Sequence, residues 1–120
     1  MKASSTALVL AVALSAACAT ATSVRGTPDW VTALIQDLES QPVANPPAFI
    51  ARYEYRGQTV YFLPSRCCDI PSNVYNVSGT IICHADGGLR GAGDGRCADF
   101  FSARKDEKIV WRDARGAGSS

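Results

Sequence analysis

Four of the five cysteines, Cys67, Cys68, Cys83 and Cys97, lie in the second half of the chain, and residues 86–96 between the last two hold five glycines. Glycine gives up more backbone freedom on folding than any other residue, so such a segment takes one shape only when its ends are held. An even set of cysteines in a short exported chain implies a disulfide framework that can hold them. Of the three pairings, Cys67–Cys68 with Cys83–Cys97 ranks last, because a bond between adjacent cysteines closes a cramped ring. The other two tie the 67–68 corner to both Cys83 and Cys97, and both stay open. Four thiols and His84 can also be read as a zinc shell, but the paired Cys-x-x-Cys spacing of such shells is missing. Cys67-Cys68 lacks the two-residue spacer of redox dithiols. Disulfides are therefore expected rather than a metal centre.

Residues 1–21 have the layout of a secretory signal: Lys2, an apolar run from Ala7 to Leu14, then small residues from Ser15 to Ala21. The run is too short to cross a bilayer, which takes about 20 residues, so no transmembrane helix is expected. Two cleavage routes stay open. Ala-x-Ala sites end at Ala19 and Ala21, and the second leaves a chain starting at Thr22. Alternatively the signal covers residues 1–17 and Cys18 carries a lipid that attaches the protein to a membrane. Lipoprotein signals usually place Leu three positions before that cysteine; here Ser15 stands there and Leu14 is one position further away. Either route gives an exported protein, whether secreted, periplasmic or lipid-anchored at the cell envelope.

The chain has 120 residues with 12 Lys plus Arg and 11 Asp plus Glu, a formal charge of +1. Loss of Lys2 with the signal leaves 11 cations against 11 acids. That balance argues against a nucleic-acid binder and against long-range electrostatic steering. The length allows one domain, residues 28–113, behind a linker at 22–27 and ahead of a flexible tail at 114–120.

Within the domain, Thr27-Pro28-Asp29 opens a helix, with Thr27 as the cap and Pro28 in the first helical position. Trp30, Val31, Leu34, Ile35 and Leu38 form one apolar stripe, and Pro42 stops the helix near Gln41. Residues 42–47 (PVANPP) are an extended connector. Phe49–Tyr55 and Gln58–Leu63 alternate as two strands around the two-residue turn Arg56-Gly57. Phe49, Ala51, Tyr53 and Tyr55 share one face; Ile50, Arg52 and Glu54 share the other. A second hairpin runs from Val74 through Ser78-Gly79 to Cys83. Asn76-Val77-Ser78 beside its turn is a formal glycosylation sequon. Residues 98–104 give a helical turn anchored by Phe100 and Phe101, and residues 108–112 a last strand. The expected fold is α+β: one N-terminal helix on a small antiparallel sheet of two hairpins plus a C-terminal strand, with a disulfide-pinned Gly/Asp loop.

That loop, DGGLRGAGDGR, matches no phosphate loop, dinucleotide fingerprint, EF-hand or calcium roll. It reads first as a structural Ω-type loop pinned by Cys83 and Cys97. Its functional reading is a nest of N–H groups for an anion helped by Arg90 or Arg96, or a Ca²⁺ site using Asp86 and Asp94.

Residues 28–113 resemble a family of small exported bacterial proteins described only as a domain of unknown function. The likeness is carried by Pro28-Asp29-Trp30, by Pro42-Val43-Ala44-Asn45-Pro46-Pro47, and by Tyr53-Glu54-Tyr55 with Gly57-Gln58-Thr59-Val60-Tyr61. It continues through Cys67-Cys68-Asp69, Ile82-Cys83-His84, Asp86-Gly87-Gly88, the run from Gly93 to Phe100, and Ile109-Val110-Trp111. Where such proteins commonly have Asn-Gly and a proline before the last Asp-Phe, this chain has Arg56-Gly57 and Ala98. The resemblance implies no activity; it does imply lipid anchoring in many members, which favours Cys18 as an attachment point.

No catalytic residue is assigned. His84 and Cys83 are adjacent in a strand and point to opposite faces. Asp69, Asp86, Asp94 and Asp99 all lie in the cysteine-rich half and form the one candidate for a hidden site; turns and caps are their other use. The expected role is a non-enzymatic binding or envelope-interaction module. The alternatives are a Ca²⁺- or anion-binding domain using Asp86, Asp94, Arg90 and Arg96, or a small enzyme or inhibitor built on the same loop with Leu89 at its tip.

Overall fold

A computed structural model describes residues 26–66, 69–89 and 91–118. The signal segment with Cys18, the Cys67-Cys68 corner, Arg90 and residues 119–120 lie outside these. Helix α1 (Asp29–Glu39) is followed by strands β1 (Phe49–Tyr55), β2 (Gln58–Leu63), β3 (Asn73–Tyr75) and β4 (Ile81–Cys83). The short helix α2 (Phe100–Ala103), strand β5 (Lys105–Arg112) and a 3₁₀ helix (Ala114–Gly118) complete the chain. The strands form one sheet in the order β4-β3-β2-β1-β5, every pairing antiparallel. The fold is α+β, as the sequence pattern implies.

Strand alternation sends apolar groups to both faces of this sheet, and each face has its own cover. On one, Ile50, Tyr61 and Leu63 pack under Val31 and Leu38 of α1. On the other, Ala51, Tyr53, Tyr55, Val60, Phe62 and Val74 meet Cys83, Ala85, Cys97 and Phe100. Phe100 is 0% exposed. Its ring lies 5.7 Å from Tyr53, 5.2 Å from Tyr55 and 5.2 Å from Phe62. Edge strand β5 slips register against β1 between Ile50 and Ala51, so that Ile50 faces Trp111 and Ala51 faces Ile109. The extra residue, Val110, lets Val110 and Trp111 both reach the helix-side cluster.

Helix α1 is held at both ends by residues far away in sequence. At its start, Trp30 Nε1 donates to Val77 O at 2.8 Å, and its ring packs on Tyr61 and Tyr75. A Cβ on Gly79 would come within 2.9 Å of that ring, so this turn needs its glycine. At its end, the Arg115 guanidinium donates to the carbonyls of Leu38, Glu39 and Gln41 at 3.3, 3.0 and 2.9 Å. The last turn of α1 carries no basic residue of its own, so Arg115 satisfies carbonyls that helix geometry leaves open. Buried Asp113 holds Arg115 through bonds of 3.0 and 2.7 Å.

Three local expectations are corrected. Thr27 does not cap α1: Pro28 is the boundary residue, and its carbonyl accepts from Val31 N at 3.0 Å, without a side-chain cap. Strand β5 begins at Lys105 rather than 108, because pairing with β1 outruns the apolar alternation. Residues 114–118, read as tail, form a 3₁₀ helix because Arg115 has partners on α1. The ring packing around Phe100 makes it the most consequential core side chain. Phe100→Ala is expected to lower unfolding free energy by about 3–5 kcal/mol in urea titration, whereas half-exposed Phe101→Ala stays well below that.

Candidate functional site

The site starts at the β1–β2 turn. Arg56 and Gly57 both have positive φ, 51° and 75°, as a tight hairpin turn of this hand requires. A non-glycine residue there costs about 1–2 kcal/mol. Side-chain contacts offset the cost: Arg56 donates to Asp99 Oδ1 at 2.8 Å, and its guanidinium lies 4.8 Å from the centre of the Tyr55 ring. The Tyr55 hydroxyl donates to the same Asp99 oxygen. Donation from Tyr55, aided by the Arg56 charge, holds the Asp99 carboxyl below the usual aspartate range. Burial and the hydrogen bond to Asp99 push the Tyr55 hydroxyl up.

The disulfide forms the floor. Cys83 is bonded to Cys97, with Cα atoms 6.0 Å apart. This overturns the expectation that each of them is tied to the 67–68 corner. The reason is the chain's path: Cys83 closes β4 and Cys97 precedes α2, and both sulfurs belong to the core cluster under Phe100. A cleft of about 290 Å³ lies above the bond, lined by Tyr55, Arg56 and Gln58 of the hairpin, Ile82 and Cys83 of β4, and Arg96 and Cys97.

The loop closed by this disulfide folds on itself through backbone bonds. Gly93 N donates to Gly87 O at 3.1 Å, Gly87 N to Gly91 O at 3.2 Å and Asp94 N to His84 O at 3.2 Å. Two of its glycines are dictated by crowding. A Cβ on Gly93 would sit 2.0 Å from His84 O, and one on Gly87 2.8 Å from Ile70 O. Leu89 stands at the tip, 94% exposed. The structural Ω-type reading thus describes this backbone, closed by one bond between its own ends.

The aspartates of the loop have separate partners. The Ser72 hydroxyl donates to Asp86 Oδ1, and Ser72 Oγ accepts from Ser65 N at 2.8 Å. Asp94 Oδ1 accepts from Arg96 N at 3.0 Å. Desolvation by the surrounding loop opposes ionisation of exposed Asp94, but backbone bonds from Arg96 and His84 outweigh it and lower its pKa. Asp99 belongs to Tyr55 and Arg56, and Asp69 is exposed. Among the described residues no three of His, Cys, Asp and Glu gather as a metal site would need. His84 Nδ1 lies 3.1 Å from Ser72 O. Of the predicted site residues, the structure brings Arg96, Cys83 and Cys97 together with Arg56, Gln58 and Tyr55. The hairpin trio was missed, although an arginine in a turn position that disfavours it is a signal of a compensating partner.

Fold and site together define a small disulfide-closed α+β domain with a cleft between a hairpin turn and the disulfide. The chain belongs to the family described as a domain of unknown function (DUF6970), which matches residues 36–113. No curated protein and no solved structure matches it.

Gly93→Ala is expected to unfold the loop and lower the melting temperature sharply, since the new methyl meets backbone. Gly88→Ala, with open space around it, carries only the left-handed cost of about 1–2 kcal/mol. Equal melting temperatures for the two variants would contradict the packing. A second test concerns acid. The folded Asp99 pKa lies below its unfolded value of about 3.9, so its contribution is complete above that pH and disappears as pH falls through the folded value. Melting curves between pH 5 and pH 2 are expected to fall more steeply for the wild type than for Asp99→Asn.

Proposed function

We propose that the chain is an exported, non-enzymatic binding module that meets a protein partner through the loop tip at Leu89. The observation that carries this reading is a leucine at 94% exposure on a backbone fixed from beneath. An apolar side chain in that position contributes nothing to the domain's own core. It is available to fill an apolar pocket on another surface, and a loop already held in one shape loses little entropy when it docks. Export is supported by the layout of residues 1–21 and by a disulfide, which persists in oxidising compartments. On the lipid route, Cys18 would tether the module at the envelope, with the domain displayed away from the membrane.

The test places a photo-crosslinking residue at position 89 of the exported protein, with a second version at Val77, another exposed apolar position at 56%. Position 89 is expected to give a discrete protein adduct and position 77 none. Leu89→Asp is expected to weaken association with that adduct partner at least about tenfold, without shifting the melting temperature. Equal labelling at both positions, or unchanged association of Leu89→Asp, rules the tip out as the contact.

A further inference from the structure

Beyond the loop tip, and independently of it, we infer that the cleft over the Cys83–Cys97 bond binds a small aromatic carboxylate. The size comes first. About 290 Å³ lies at the small end of ligand pockets, which span roughly 300–1,000 Å³, and suits a single ring with a short polar group. The chemistry of the lining comes second. Ile82, the two bonded sulfurs and the Tyr55 ring give an apolar floor and wall, a surface on which a flat ring packs.

Arg56, Arg96 and Gln58 supply the polar rim, and no acidic side chain is among the lining residues. Arg56 donates to Asp99 and interacts with Tyr55, and its guanidinium carries five N–H donors, more than these partners use. Arg96 uses its backbone N–H on Asp94, while its guanidinium has no acceptor among the described residues. Guanidinium groups pair with carboxylates in bidentate fashion, and the Gln58 amide adds a further donor. Asp99, outside the lining, accepts from the Tyr55 hydroxyl and forms an ion pair with Arg56 at 2.8 Å; this fixes one guanidinium and compensates its charge, and leaves Arg96 as the rim cation without an ion pair among the described residues. The positive φ of Arg56 fits this picture, because backbone strain persists where the surroundings fix a side chain in place.

The probe is benzoate, titrated into the ¹⁵N-labelled full chain and followed by amide and arginine side-chain resonances. Benzamide keeps the ring without the charge, and inorganic phosphate keeps a charge without the ring. Benzoate is expected to saturate with a dissociation constant of the order of 1 mM or tighter, shifting Arg56, Gln58, Ile82 and Arg96. Benzamide and phosphate are expected to bind at least about tenfold more weakly. Arg96→Gln is expected to weaken benzoate by a similar factor with little change in melting temperature, since that guanidinium has no acceptor among the described residues and the backbone bond to Asp94 is kept. Benzamide binding as tightly as benzoate, phosphate matching it, shifts scattered outside the cleft, or an unaffected Arg96→Gln would each overturn the inference.

Discussion

The Cys83–Cys97 bond is the constraint on which the second half of the molecule depends. Ordering a residue's backbone costs about 1–2 kcal/mol, and glycine costs more than most. The segment between these cysteines has five glycines, all with positive φ, and few side chains that could repay the expense through burial. Closing a loop of this length before folding begins is worth about 3 kcal/mol in the chain-entropy account. The bond also sits inside the core cluster of the second sheet face, beside Phe100. One covalent link thus shortens the search of the loop, completes a core and provides the floor of the cleft.

The other face depends on long-range polar ties of a different kind. Helix α1 has 11 residues, too few for stability by itself. Its apolar stripe supplies burial, but a stripe leaves helix position along the sheet poorly fixed. Trp30 bonded to the β3–β4 turn sets one end, and Arg115 bonded to three carbonyls sets the other. Arg115 is itself aimed by Asp113, whose backbone N–H is bonded to Ala48 O at 2.9 Å. The helix therefore lies between two clamps contributed by the turn and the C-terminal segment.

What could be read from the sequence divides along the same line. Strands β1 and β2 were legible to the residue, because their alternation of aromatic and β-branched positions records a sheet buried on both faces. The helix was legible from its stripe, and the turn from Gly57. Features decided by the path of the chain were not. Cys83 and Cys97 pair because β4 and the approach to α2 meet over one sheet face, which no local spacing encodes. Arg115 looked like part of a small polar tail because its partners lie more than seventy positions earlier. Asp99 and Arg56 are separated by 43 positions; the sequence groups Asp99 with the other aspartates of the cysteine-rich half and marks Arg56 only as an unusual turn residue, and their pairing appears only once β1 and α2 are packed.

Arg96 occupies the place where these features meet. It directly precedes Cys97, lines the cleft by its side chain, and gives its backbone N–H to Asp94 of the loop. Asp94 in turn donates its N–H to His84 O, beside Cys83. Both ends of the disulfide-closed ring are therefore bonded across to each other next to the cleft. A ligand shifts a protein's conformations only as far as it binds one of them better than the others. Here the ring is already closed by a covalent bond and a backbone bond, so an anion on Arg96 finds its preferred arrangement in place.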